Sequence, residues 1–193
     1  VLALDETSYA IVMLAKTQSA DDVRAVGKYQ VIALCETAQG VAASLSIAAT
    51  ASTVALMWGA EDLIASLGGS SSRDEQGNYR DVARIARSQV LIAAGANGRA
   101  AIDAVHLDIA DLEGLGHEAR DAVASGFSAT ACVHPSQVDT VRSAYRPTDL
   151  DVVWAKGVLR ASTSEHGVFV FEGRMVDAPL LRHAHEIVRR SGR

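Results

Sequence analysis

The stretch MWGAEDLIASLGG (57–69) runs an apolar segment directly into two carboxylates, Glu61 and Asp62, and one structural unit earlier VIALCET (31–37) ends in Glu36. Neighbouring parallel strands lie about 4.8 Å apart, so acids at adjacent strand ends can share one ion. The C-terminal edge of an α/β sheet is where ligands bind. Two hard oxygen donors, with positions left for water and substrate, suit Mg²⁺ better than zinc. A competing explanation is that acids at a helix start satisfy its unpaired N–H groups and its positive end. Spacing alone leaves both readings open. Asp177 is a third acid of interest; with Pro179 just inside the next helix it has the arrangement of an N-cap.

Other chemistries lack support. His183 and His185 are two apart on a predicted helix and point to different faces, which is no metal pair. His134 precedes Pro135 at a strand end, where lining a site and holding the backbone are equally compatible, and His106, His117 and His166 have no ligand spacing. No G-x-S-x-G elbow, P-loop or strand-borne G-x-G-x-x-G occurs. The net charge of −5 and pI of about 5.6 argue against general affinity for nucleic acid or an anionic membrane. No run reaches the roughly 18 apolar residues of a membrane span. Cys35 and Cys132 lie in apolar stretches without C-x-x-C spacing, which predicts buried, reduced thiols and a cytoplasmic protein.

The elements that must position these residues alternate. Strand-like runs at 10–16, 31–37, 53–59, 101–109 and 128–135 are separated by helices after Ser19, over 38–50, from Asp62, through 82–96 and over 113–126. The segment 70–81 reads as a polar loop. Nearly continuous apolar strands between helices indicate a parallel sheet covered on both faces, hence an α/β fold. A doubly wound sheet and a (β/α)8 barrel both fit this pattern, although a barrel needs eight strands and typically ~250 residues. Beyond Pro147 the alternation stops. A helix over 148–162 capped by Thr148, a hairpin over 167–177 turning at Glu172–Gly173 and a helix over 178–190 form a C-terminal appendage, followed by a solvated RRSGR ending. This predicts two regions, 1–146 and 147–193.

Taken in order, VMLAKTQSADDV, VIALCETAQGV, MWGAEDLIASLGG, AIDAVHLDI, CVHPSQVDTVRSAYRP and FEGRMVDAPLLRHA closely resemble the citrate lyase β-subunit-like proteins of the HpcH/HpaI aldolase superfamily, across essentially the whole chain. The resemblance is to stand-alone bacterial members acting on acyl-CoA thioesters. It implies a (β/α)8 TIM barrel whose fourth to eighth strands are present here, the N-terminal strands lying ahead of Val1, with the C-terminal helix–hairpin–helix as a lid. It further implies Glu36 and Asp62 as Mg²⁺ ligands, and the backbone N–H groups of Gly59, Ala60, Glu61 and Asp62 as the cradle of a keto-acid carboxylate. Asp177 becomes the catalytic residue, reaching a neighbouring subunit's site in a homotrimer with exchanged lids. Lys16 would face coenzyme A, although Ala15 stands where the family usually has proline. The family's essential arginine and acidic Leu-Glu-Asp motif belong to the earlier strands.

The implied reaction is Mg²⁺-dependent, reversible Claisen-type cleavage of a malyl-, citramalyl- or citryl-CoA to acetyl-CoA and glyoxylate, pyruvate or oxaloacetate. Thioester hydrolysis can follow condensation, giving thioesterase or malate synthase activity. The alternatives are an aldolase for free hydroxy-keto acids and a citrate lyase complex subunit that needs an acyl-carrier partner.

Overall fold

The computed structural model describes residues 8–165 and 167–192, which form two compact units divided between Val138 and Asp139. His166 and Arg193 lie outside the described residues. In the first unit, strands β1 (Ile11–Leu14), β2 (Gln30–Cys35), β3 (Thr53–Trp58), β4 (Ala100–Asp103) and β5 (Ala129–Thr130) form one five-stranded sheet in the order β1-β2-β3-β4-β5. Every pairing is parallel. A doubly wound sheet reverses its strand order at a switch point; this sheet has no reversal.

Between the strands lie α1 (Ala20–Ala25), α2 (Ala38–Ala42), α3 (Ser44–Ala48), α4 (Ala60–Ser66), α5 (Asp81–Ala96) and α6 (Leu112–Ser125). Local chemistry sets their ends. Ser19 and Asp22 form a reciprocal capping box on α1, Thr37 caps α2 by accepting from Gly40 N–H, and Gly126 closes α6 at φ 108°. The helix predicted over 38–50 is instead two short helices hinged at Ala43. The bend lets α2 pack on β2 and α5 while α3 packs on β3 and α5.

Parallel neighbours share a face when in register, and the two faces of the sheet differ. Val31, Ala33, Cys35, Leu56, Trp58, Ala101 and Asp103 are closed off on one face. On the other, Ala55 and Met57 are buried, Ile32, Leu34 and Ile102 are half-buried, and Ile11 and Met13 of β1 stay 49% and 52% exposed. The strands predicted over 101–109 and 128–135 are shorter than expected. Pairing of β4 with β5 ends at Asp103↔Thr130, because the Asp103 carboxylate turns into a polar network and accepts from the next N–H, that of Ala104.

A short 3₁₀ turn (Pro135–Gln137) leads into α7 (Val138–Tyr145). The second unit contains α8 (Asp149–Ala161), a hairpin of β6 (Phe169–Phe171) and β7 (Arg174–Val176), and α9 (Ala178–Ser191). Thr148 and Asp151 box the start of α8, and Glu172 and Gly173 turn the hairpin at positive φ. Ala155, Val158, Phe169, Val176, Ala184 and Ile187 form this unit's own core. The predicted solvated ending is helical through Ser191.

Candidate active site

The register of β2 on β3 pairs Cys35 with Trp58, so the next residues, Glu36 and Gly59, emerge level at the C-terminal edge of the sheet. A Cβ on Gly59 would stand 3.0 Å from Glu36 Cβ and 3.1 Å from Glu36 Oε2. The Glu36 carboxylate therefore lies against the Gly59 backbone, which is why glycine separates Trp58 from the acids. Gly59 is the N-cap of α4 and no side chain caps that helix. Neither acid of the pair does the capping. Glu61 accepts a 2.5 Å hydrogen bond from Ser72 Oγ, and Asp62 forms an ion pair with the Lys16 ammonium.

Lys16 reaches the site from the end of β1 through an unusual turn. Its φ is 51°, a left-handed conformation uncommon for a residue with a side chain. Two bonds to the neighbouring strand hold it there: Lys16 N–H donates to Glu36 Oε1 (3.0 Å) and Thr17 N–H to the Leu34 carbonyl (3.0 Å). Thr17 Oγ1 also donates to the Leu14 carbonyl (2.7 Å). A Cβ on Gly40 would meet the Thr17 carbonyl at 2.3 Å, so α2 can rest on this turn only with glycine at that position. Burial pushes the Glu36 carboxyl above the usual glutamate range, and the neighbouring Asp62 charge adds to it against the opposing Lys16 N–H and ammonium. The hydrogen bond to Asp62 raises the Lys16 ammonium.

Lys16, Glu36, Gly59 and Asp62 are thus brought together at one sheet edge, with Ala60 and Glu61 in the same turn. The Lys16 ammonium pairs with Asp62 while the Lys16 N–H bonds Glu36, and two neighbouring carboxylates are a kind of donor set that suits a hard divalent ion. Among the described residues no group of three or more His, Cys, Asp or Glu side chains is placed to hold a metal. Asp177 belongs to the second unit, where it is the N-cap of α9 and accepts from Leu180 N–H (3.1 Å).

A polar network beside the site was not singled out from sequence. Trp58 Nε1 donates to Asp103 Oδ1 (2.5 Å), and the Arg87 guanidinium grips both Asp103 oxygens at 2.8–3.1 Å and Asp121 at 2.7 Å. Tyr79 meets Trp58 edge-on at 5.3 Å, and Arg73 stacks 3.8 Å over Tyr79 while pairing with Glu118 at 2.6 Å. The stretch 70–81 is therefore a pinned turn, with an Arg73↔Tyr79 bridge, rather than a free loop. The available signal was Asp103 itself, an acid inside an apolar strand, which has to be paired if buried.

The remaining candidates have structural partners. His134 accepts from Ser136 N–H and caps the 3₁₀ turn. His106 Nδ1 lies 2.9 Å from Glu118 and its Nε2 lies 3.2 Å from Asp111. Both cysteines are free; Cys35 is buried, but Cys132 is exposed, contrary to expectation, because β5 ends before it.

Comparison with known proteins agrees with these motifs. The profile of the HpcH/HpaI aldolase/citrate lyase family matches residues 5–135. A citrate lyase subunit beta-like protein of Mycobacterium tuberculosis is 58% identical over 190 residues, covering 98% of this chain and 70% of that protein. The mitochondrial citramalyl-CoA lyase of Rattus norvegicus is 37% identical over 139 residues, covering 69% of this chain and 39% of the relative. The crystal structure of CitE from M. tuberculosis with magnesium, acetoacetate and coenzyme A superposes with a TM-score of 0.92 at 57% identity, covering all of this chain and 72% of the other. The chain belongs to the HpcH/HpaI aldolase/citrate lyase family.

Proposed function

We propose that the protein is a Mg²⁺-dependent carbon–carbon lyase that cleaves a β-hydroxyacyl-CoA of the malyl-, citramalyl- or citryl-CoA class to acetyl-CoA and a keto acid. The observation that carries the reading is the approach of Glu36, at the end of β2, to Asp62, in the first turn of α4, with Gly59 leaving room for the Glu36 carboxylate. The likeness to a CitE structure holding magnesium, acetoacetate and coenzyme A supports it. The unreversed strand order and the partly open sheet face support closure of the sheet into a (β/α)8 barrel.

In this reading Glu36 and Asp62 hold the ion, which when bound supplies Lewis-acid stabilisation of charge on the substrate's carboxylate and adjacent oxygen. The N–H groups of Gly59, Ala60, Glu61 and Asp62, which no side chain caps, receive the keto-acid carboxylate. Cleavage passes the hydroxyl proton to solvent water as the carbinol becomes the keto group, and breaks the bond between the carbinol carbon and the carbon next to the thioester. The electron pair passes into the thioester as an enolate, and Asp177 delivers a proton to that carbon to complete acetyl-CoA. Lys16 serves the coenzyme A side of the pocket. The second unit acts as a lid exchanged between subunits of a homotrimer, and the enzyme works in the cytoplasm.

The test is incubation with malyl-, citramalyl- and citryl-CoA, with Mg²⁺ or EDTA, followed by mass spectrometry of the thioesters. Expected is Mg²⁺-dependent release of acetyl-CoA, reduced about 10²-fold or more in Asp177→Asn. Absence of turnover from the full-length, folded, metal-loaded protein contradicts the proposal.

A further inference from the structure

The Lys16 ammonium occupies a position that a divalent cation would also seek. It pairs with Asp62, its charge also acts on Glu36, and its own N–H is bonded to Glu36 Oε1. The side chain is 61% exposed and the Asp62 side chain 49%, so the pair opens toward solvent and the lysine is free to swing away. Its backbone is not free. The left-handed turn at φ 51° is clamped by the bonds of Lys16 and Thr17 to the end of β2, and α2 packs against it at Gly40. A fixed backbone with a long mobile side chain allows the ammonium to leave while both carboxylates stay in place.

We infer that Lys16 is a built-in competitor of the metal: it offsets the charge of Asp62 beside Glu36 in the metal-free protein and is displaced from Asp62 when a divalent ion binds. An ammonium and a divalent cation cannot share the same carboxylate oxygens at close range without strong like-charge repulsion. The inference rests on the metal assignment above. It adds that metal affinity is set lower than the carboxylates alone would give.

The test uses Mn²⁺ as the probe ion, counted by electron paramagnetic resonance, with parent protein and the Lys16→Met, Lys16→Arg and Glu36→Gln variants. An exposed ion pair is worth a few-fold in an equilibrium constant, so Lys16→Met is expected to bind Mn²⁺ about two- to fivefold more tightly. Lys16→Arg, which keeps the charge, stays near the parent. A second readout follows release directly. The chain has three lysines, Lys16, Lys28 and Lys156, so isotope-coded reductive methylation read by peptide mass spectrometry resolves each. Saturating Mg²⁺ is expected to quicken modification of Lys16 alone.

Equal or weaker Mn²⁺ binding by Lys16→Met, with Glu36→Gln abolishing it, overturns the competition while leaving the metal site intact. Failure of every protein to bind Mn²⁺ overturns the metal assignment and the competition with it. Unchanged Lys16 modification under saturating Mg²⁺ also overturns the competition.

Discussion

Glu36 is 7% exposed and faces a second carboxylate, so folding alone gains little from its charge. Glutamine can still accept the Lys16 N–H and removes the buried charge. Metal-free Glu36→Gln is therefore expected to melt above the parent by differential scanning calorimetry, while isothermal titration shows its divalent-ion binding lost. Gly59 belongs to the same balance. Ala at this position keeps an ordinary backbone (φ −134°) but sets its Cβ 3.0 Å from Glu36 Cβ, so the carboxylate must move by a few tenths of an ångström. Gly59→Ala is expected to bind Mg²⁺ about tenfold more weakly, with a stability change of about 1 kcal/mol or less, read by the same calorimetry and by urea titration. The proximity of Glu36 and Asp62 was legible in the sequence because acids one β/α unit apart fall near neighbouring strand ends. The Lys16–Asp62 pair was not, since nothing in LAKTQ announces a left-handed lysine; its conformation comes from bonds to a strand distant in sequence.

The elements around the site depend on a few buried contacts. Trp58, the last residue of β3, is tied to Asp103 at the end of β4, and Arg87 of α5 neutralises that acid. Arg87→Met leaves the Asp103 carboxylate buried without its cation, and is expected to lower unfolding stability by about 3–5 kcal/mol in urea denaturation. In α9, Arg189 and Arg190 hold the Glu186 carboxyl down to about 2. A folded-state value below the unfolded one stabilises the fold above the ordinary glutamate range, and that gain is lost as pH falls toward the folded value. Glu186→Gln should thus cost about 1 kcal/mol at neutral pH, after solvent screening of a partly exposed pair, and nothing near pH 2, by thermal melts across that range. Strand and helix order was legible because the apolar runs and caps repeat. The break at Ala43 was not, because AQGVAASLSIAAT has no residue that forbids a continuous helix; packing of α2 and α3 on different partners bends it.

At the scale of the whole molecule, the five parallel strands in unreversed order and the second unit with its own core match the α/β character read from the sequence. No described helix is long and apolar enough to cross a membrane. The sequence pattern left doubly wound and barrel architectures open because both alternate β and α. Strand order is a long-range property that no local run encodes. The proposed homotrimer with exchanged lids predicts a light-scattering mass of three subunits for the full-length protein, and a monomer mass contradicts it. The most direct test of the metal site is anomalous diffraction from crystals grown with Mn²⁺. A single anomalous peak bonded to both Glu36 and Asp62 is the expected result. A site left empty at saturating Mn²⁺, or a peak elsewhere, contradicts the account.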